Sequence, residues 1–234
     1  MSYDLETTTA NRYQTAATAT NTLIRNVYTW MCTALLLTGG TATLVANTPS
    51  IAEAVLSNNI LFWGLLIAQL GVVWVMSARV NQFSLRTLST LFMLYSVLTG
   101  ITFSIYFFIF TAESIASTFF ITAGTFGAMS LYGYFTKTDL TKIGNLCIMV
   151  LVGIIIASVV NFFLKSETLY WVVTYIGVAV FIGLIAWDTQ KIKALARMDD
   201  NEHTQKWAIL GALTLYLDFI NLFIMLLRIL GKRR

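Results

Sequence analysis

The stretch Leu215-Tyr216-Leu217-Asp218-Phe219-Ile220-Asn221-Leu222-Phe223 decides how this sequence folds. It sits in an apolar run from Trp207 to Leu230, with eleven residues before Asp218 and twelve after it. A helix over this run rises 1.5 Å per residue and places Asp218 roughly 16 Å from either end. That is the middle of a bilayer whose hydrocarbon is about 30 Å thick. A carboxylate at that depth costs at least ~2.5–3.5 kcal/mol on insertion scales, so it is turned inward and paired, or kept protonated. A purely structural role would be a single interhelical hydrogen bond.

The rest of the chain supports a membrane setting. Of 234 residues, 57% are hydrophobic and 11% are charged, against about a quarter charged in soluble domains. So few charges cannot cover a water-facing surface, and lipid must cover most of it. The apolar runs lack the alternation of barrel strands. A net charge of +4 arises from basic residues scattered between apolar runs, without the basic and aromatic interleaving of a nucleic-acid surface. Cys32 and Cys147 lie in apolar runs without metal-ligand spacing and read as small buried hydrophobes. His203, the single histidine, reads as a solvated residue of a charged link, and no metal site follows from it.

Seven apolar stretches of membrane-spanning length follow a polar tail, at 27–46, 58–78, 87–110, 115–135, 143–164, 169–190 and 207–230. Residues 1–26 have no apolar core near the start and read as a cytoplasmic tail rather than a signal peptide. Residues 27–234 form one transmembrane domain, and 191–206 is its one long link. With the N-terminus inside, the cytoplasmic segments hold Arg12, Arg25, Arg79, Arg86, Lys137, Lys142, Lys191, Lys193, Arg197 and Lys206, against Lys165 alone in the opposite loops. That bias places the N-terminus in the cytoplasm. Lys232-Arg233-Arg234 runs against it: seven complete spans put this tail outside, whereas a last segment that dips in and returns would keep it inside. The length of 207–230 favours seven spans.

Small residues four apart, Ala123 with Gly127, Gly153 with Ala157 and Ala179 with Gly183, read as close helix contacts. Two further charges lie near span ends. Asp188, in Trp187-Asp188-Thr189-Gln190-Lys191, has Lys191 one turn away as a possible ion-pair partner. Arg79 ends the second span, where an arginine ordinarily snorkels to the surface.

The nine residues around Asp218, followed by Leu227-Arg228, resemble the signature of the transmembrane Bax inhibitor motif family, also called the Bax inhibitor-1 family. Trp187-Asp188-Thr189-Gln190-Lys191 is similar to its second hallmark, with Trp187 where tyrosine is more usual. Phe126 through Tyr134 and Tyr95 through Thr102 are similar to bacterial members, and the likeness covers nearly the whole chain. The resemblance implies seven transmembrane helices, the last central and surrounded by the other six. It implies a bacterial inner-membrane protein that acts as a pH-sensitive calcium leak governed by a pair of aspartates, here Asp188 and Asp218, with Arg79 as gating partner. It implies no resident cofactor, Ca²⁺ being the permeant ion.

For the two carboxylates to meet, the sixth helix must run past Lys191 toward Ala196, which no helix breaker prevents. Two carboxyls that close do not both ionise easily and share one proton. They supply hard oxygen ligands for Ca²⁺, but fewer than the six to eight of a tight site, which suits a transient metal site at Asp188 and Asp218. An intramembrane aspartyl protease is a poorer fit, since no glycine directly precedes Asp218, and the chain is not read as an enzyme. An ion-coupled transporter would need a substrate pocket that the sequence does not name. The alternative role is a regulatory interaction protein, working with a membrane protease or in stress survival through residues 1–26 or 191–206. The expected partners are therefore the lipid bilayer, Ca²⁺ and protons, and in that alternative a membrane protease, with no nucleic acid.

Overall fold

The computed structural model describes the backbone of residues 2–197 and 202–234, with side chains from Thr22 onward apart from Leu56. Nine helices account for these residues: α1 Ser2–Ala46, α2 Pro49–Ser57, α3 Asn59–Ala78, α4 Leu85–Phe103, α5 Ile105–Ile109, α6 Ala112–Phe135, α7 Thr141–Leu164, α8 Glu167–Leu195 and α9 Glu202–Leu230. Seven segments are long and apolar enough to cross a membrane: Thr22–Ala46, Asn59–Ala78, Leu85–Ile109, Ala112–Phe135, Thr141–Leu164, Glu167–Leu195 and Glu202–Leu230. They match the seven apolar stretches of the sequence. The third span combines α4 and α5 across a break at Ser104, whose hydroxyl donates to the Ile101 carbonyl.

Local chemistry sets the helix starts. Asn58 accepts from the Leu61 N–H, Ser84 from Thr87, Thr111 from Ser114 and Ser166 from Leu169, each satisfying an orphan donor of a first turn. Pro49 opens α2, where its missing N–H costs nothing.

The spans differ sharply in burial. The inner part of α9 is 61% buried, that of α8 44%, and those of α3 and α7 only 11%. The main packing partners of α9 are α1, α4, α6 and α8, while α3 lies against α4 and α7 against α8. The resemblance implied six helices around the last one; four form its principal contacts, and α3 and α7 present most of their surface to lipid. Aromatic residues fill the interior of α9: Tyr216 meets Phe92 and Tyr95 edge-on at 5.7 and 5.8 Å, and Phe219 meets Phe119 and Phe126 at 5.5 and 5.6 Å.

Close helix contacts fall at different glycines from those the four-residue spacing singled out. A Cβ on Gly127 or Gly153 would meet nothing within 4 Å, and only Gly183, 2.7 Å from the Cys147 sulfur, touches a neighbour. Spacing alone does not say which face a small residue occupies. The tight approaches are at Gly100 against α1, Gly133 against the Ala186 backbone and Gly144 against the Trp187 ring. Cys32 is exposed rather than buried and Cys147 is half-buried, so neither is a fully enclosed hydrophobe.

The last helix crosses completely. Beyond it the Thr111 N–H donates to the Lys232 carbonyl at 3.1 Å, and the Arg234 N–H to Ile109 at 3.0 Å. The tail is thereby tied to the turn between α5 and α6, on the face opposite the start of the first span. That turn and the ends of α1 and α7 share this face, so the dip-and-return path is excluded.

Candidate functional site

Among the described residues Asp188 and Asp218 are the buried acidic ones, each about 4% exposed. Two features bring them together. Helix α8 continues to Leu195, which sets Asp188 seven residues from its end, about 10 Å inside. Helix α9 begins at Glu202, five residues earlier than hydropathy places it. The charged link is thus shortened at both ends by the two helices. His203 is accordingly a helical residue, exposed, and its ring accepts from the Trp207 indole N–H at 3.1 Å.

The register between the two helices follows from glycine contacts. Gly177 faces the Met225 side chain and Gly211 faces Ile192. Antiparallel helices in that register hold Asp188 level with Leu215, three residues and about 4.5 Å of rise from Asp218. The two carboxyls interact directly, with Lys191 as the next charged neighbour of Asp218. Asp188 Oδ1 is paired with the Lys191 ammonium, while Asp218 Oδ2 receives no hydrogen bond from any described group. Two carboxylates have no donor for each other, so their contact is stabilised by a shared proton or by a cation, Lys191 being the one in place.

Five consecutive residues of α8 each engage a different part of the bundle. The Trp187 ring lies over Gly144 of α7. Asp188 faces α9. Thr189 donates to the Ser130 hydroxyl of α6 at 3.3 Å and accepts from the Tyr28 hydroxyl of α1 at 3.4 Å. Gln190 clamps the α6–α7 loop, donating to the Thr138 carbonyl at 2.8 Å and accepting from the Leu140 N–H at 2.9 Å. Lys191 turns back on its own helix, pairing with Asp188 while its ammonium lies 3.7 Å from the centre of the Trp187 ring. With this many tethers Asp188 has little freedom to move.

A cavity of about 370 Å³ reaches Asp188 from the face that the Lys/Arg bias assigns to the cytoplasm; Ser77, Lys191, Trp207 and Thr214 are among its lining residues. Lys191, half-exposed, lines this cavity beside Asp188. Arg79 caps the C-terminus of α3, is exposed, and makes no ion pair among the described residues; it lies two residues beyond Ser77. The cation on Asp188 is thus Lys191, the i,i+3 partner visible in the sequence.

No described cluster of three or more His, Cys, Asp or Glu residues exists that could hold a resident metal ion. A buried polar contact joins three helices. Thr38 donates to the Ser96 carbonyl at 2.9 Å, which leaves its oxygen to accept from the Tyr216 hydroxyl at 2.7 Å. Sequence reading missed this network and the Tyr28–Thr189–Ser130 chain, because hydroxyl residues are common in spans and nothing local marks which ones converge.

The family of inhibitors of apoptosis-promoting Bax1 matches residues 20–234. The chain belongs to this Bax inhibitor-1 family. Among its relatives, "Inner membrane protein YbhL" of Escherichia coli (strain K12) is 56% identical over 216 residues, 91% of this chain and 92% of the relative. A protein of Borreliella burgdorferi is 45% identical over 216 residues, covering 92% and 93%. Protein RP147 of Rickettsia prowazekii is 43% identical over 235 aligned residues, covering 99% and 98%.

Proposed function

We propose that this protein is a pH-sensitive Ca²⁺ leak channel of the bacterial inner membrane, gated by the Asp188–Asp218 pair. The observation that carries the reading is that two buried carboxyls from adjacent helices lie beside each other, and that one of them, Asp188, lines a cavity. The inner-membrane location is supported by the relative from Escherichia coli, whose name states it, and by the seven spans.

With one shared proton the carboxyls bridge α8 and α9 and close the path. Without it they repel, or capture a cation between them. Two carboxylates fall short of the ligand count of a storage site, so Ca²⁺ is held weakly and passes on. Lys191 is a tethered cation that an incoming ion has to displace from Asp188, and Arg79, two residues beyond the cavity-lining Ser77, adds to the same electrostatic barrier. The test is Ca²⁺ flux into liposomes across pH for wild type, Asp188→Asn and Asp218→Asn. Loss of the pH dependence in both variants is expected. An Asp218→Asn protein with the wild-type rate and pH profile refutes the proposal.

A further inference from the structure

A second charged site lies on the opposite face and uses none of the residues above. Lys165, Arg228 and Arg233 line one cavity of about 560 Å³ together with Glu167, Tyr170 and Trp171. Each cation is held there by a separate device. Lys165 ends α7 in the left-handed conformation, with φ 51°, and the next N–H, that of Ser166, donates to the Asn161 side chain at 2.9 Å. Arg233 belongs to the tail, which is fastened on both sides by the backbone bonds from Thr111 and Arg234 and by a bond from the Lys232 N–H to the Ser114 hydroxyl at 2.9 Å. Gly231 permits that fold-back: a Cβ there would lie 2.5 Å from the Phe110 ring.

Arg228 is the most telling of the three. It is half-buried in the last turn of α9, with its guanidinium 5.2 Å from the centre of the Tyr170 ring and 3.9 Å from the Met225 sulfur. No carboxylate among the described residues pairs with it, even though Glu167 lines the same cavity. Offsetting the last carbonyls of α9 uses part of its charge, but does not explain why two further cations are fixed beside it. Three cations against one acid, at the end of a span and flanked by interfacial tyrosine and tryptophan, form a receptor for a phosphate ester at headgroup level.

We infer that this cavity binds the phosphate of an anionic phospholipid in the leaflet on the tail side. Phosphate esters in water share the chemistry; the position at the end of the spans, beside lipid-facing Phe162 and Phe163, selects the lipid. The test uses the purified full chain in neutral detergent, titrated by thermal stabilisation with phosphatidylglycerol, phosphatidylcholine and glycerol 3-phosphate. Phosphatidylglycerol should bind at least about tenfold tighter than the other two, and Arg228→Gln or Arg233→Gln should each weaken it about tenfold, as expected for losing a charged hydrogen bond. Arg86→Gln, on the other face, should leave it unchanged. Equal binding of phosphatidylglycerol and phosphatidylcholine overturns the site, and equal binding of glycerol 3-phosphate overturns the lipid assignment. A loss in Arg86→Gln as large as in Arg233→Gln overturns the location. Arg233 lies on the tail, outside the helices, so its variant keeps the test decisive if Arg228→Gln does not fold.

Discussion

Replacing Gly133 by alanine should damage the bundle next to Asp188, and the size of the effect follows from one distance. A Cβ at Gly133 would lie 2.1 Å from the Ala186 carbonyl oxygen and 2.8–2.9 Å from the Ala186 carbonyl carbon and Cα. Ordinary contact begins at 3.4 Å, so α6 and α8 must part locally by about 1.3 Å. The obstacle is backbone on both helices and cannot rotate away. Overpacking of this kind costs about 1–3 kcal/mol, partly offset by the ~1 kcal/mol that alanine gains over glycine in a helix. Gly127 is the internal control: it lies on the same helix with nothing within 4 Å of its virtual Cβ. Thermal or denaturant unfolding in one detergent should show Gly133→Ala clearly destabilised and Gly127→Ala neutral or slightly stabilised. Because Ala186 is two residues from Asp188, Gly133→Ala should also disturb any activity that depends on the carboxyl pair. Equal stability of the two variants would refute the close-approach reasoning.

Three further outcomes are expected. Tyr216→Phe removes the 2.7 Å bond to Thr38 but leaves Thr38 donating to Ser96, and should cost about 0.5–1.5 kcal/mol; a double-mutant cycle with Thr38→Val in unfolding experiments should be clearly non-additive. Lys191→Met frees Asp188 of its tethered cation and should raise the liposome Ca²⁺ leak, whereas an unchanged leak would remove Lys191 from the gate. Asp139, in the exposed α6–α7 loop, accepts from the Thr141 side chain and N–H, and these bonds hold its carboxyl below the usual 3.8. The stability it lends the start of α7 is therefore complete above that value and disappears as pH falls through the lower folded one; an NMR titration of Asp139, with a smaller depression in Thr141→Val, which keeps the N–H donor, would check this.

The seven spans were legible because hydropathy and length suffice to define them: no span boundary moved by more than five residues, about one and a half turns. Asp218 was legible for the same reason, as a charge with no water to meet it. The depth of Asp188 was not. Hydropathy ends a helix where charges begin, yet Lys191 and Lys193 continue α8, one folded onto Asp188 and the other donating to the Tyr134 carbonyl. The glycines were misjudged for a related reason. A four-residue spacing reports that a face is small, and only the packing of α6 on α8 shows that Gly133 is pressed and Gly127 is not. Arg79 could be placed at the end of its helix from sequence, but reach and partner depend on which helices lie beside it.

The heavily enclosed α9 follows the other described helices in chain order and so leaves the ribosome after them. Until it arrives, α1, α4, α6 and α8 lack the helix their inner faces pack against, and Asp188 waits on that of α8. Asp218 therefore enters the membrane beside a polar partner instead of bare lipid, which lowers the barrier to its insertion. A chain interrupted before Glu202 presents the cell with six spans, four of which border an unfilled groove.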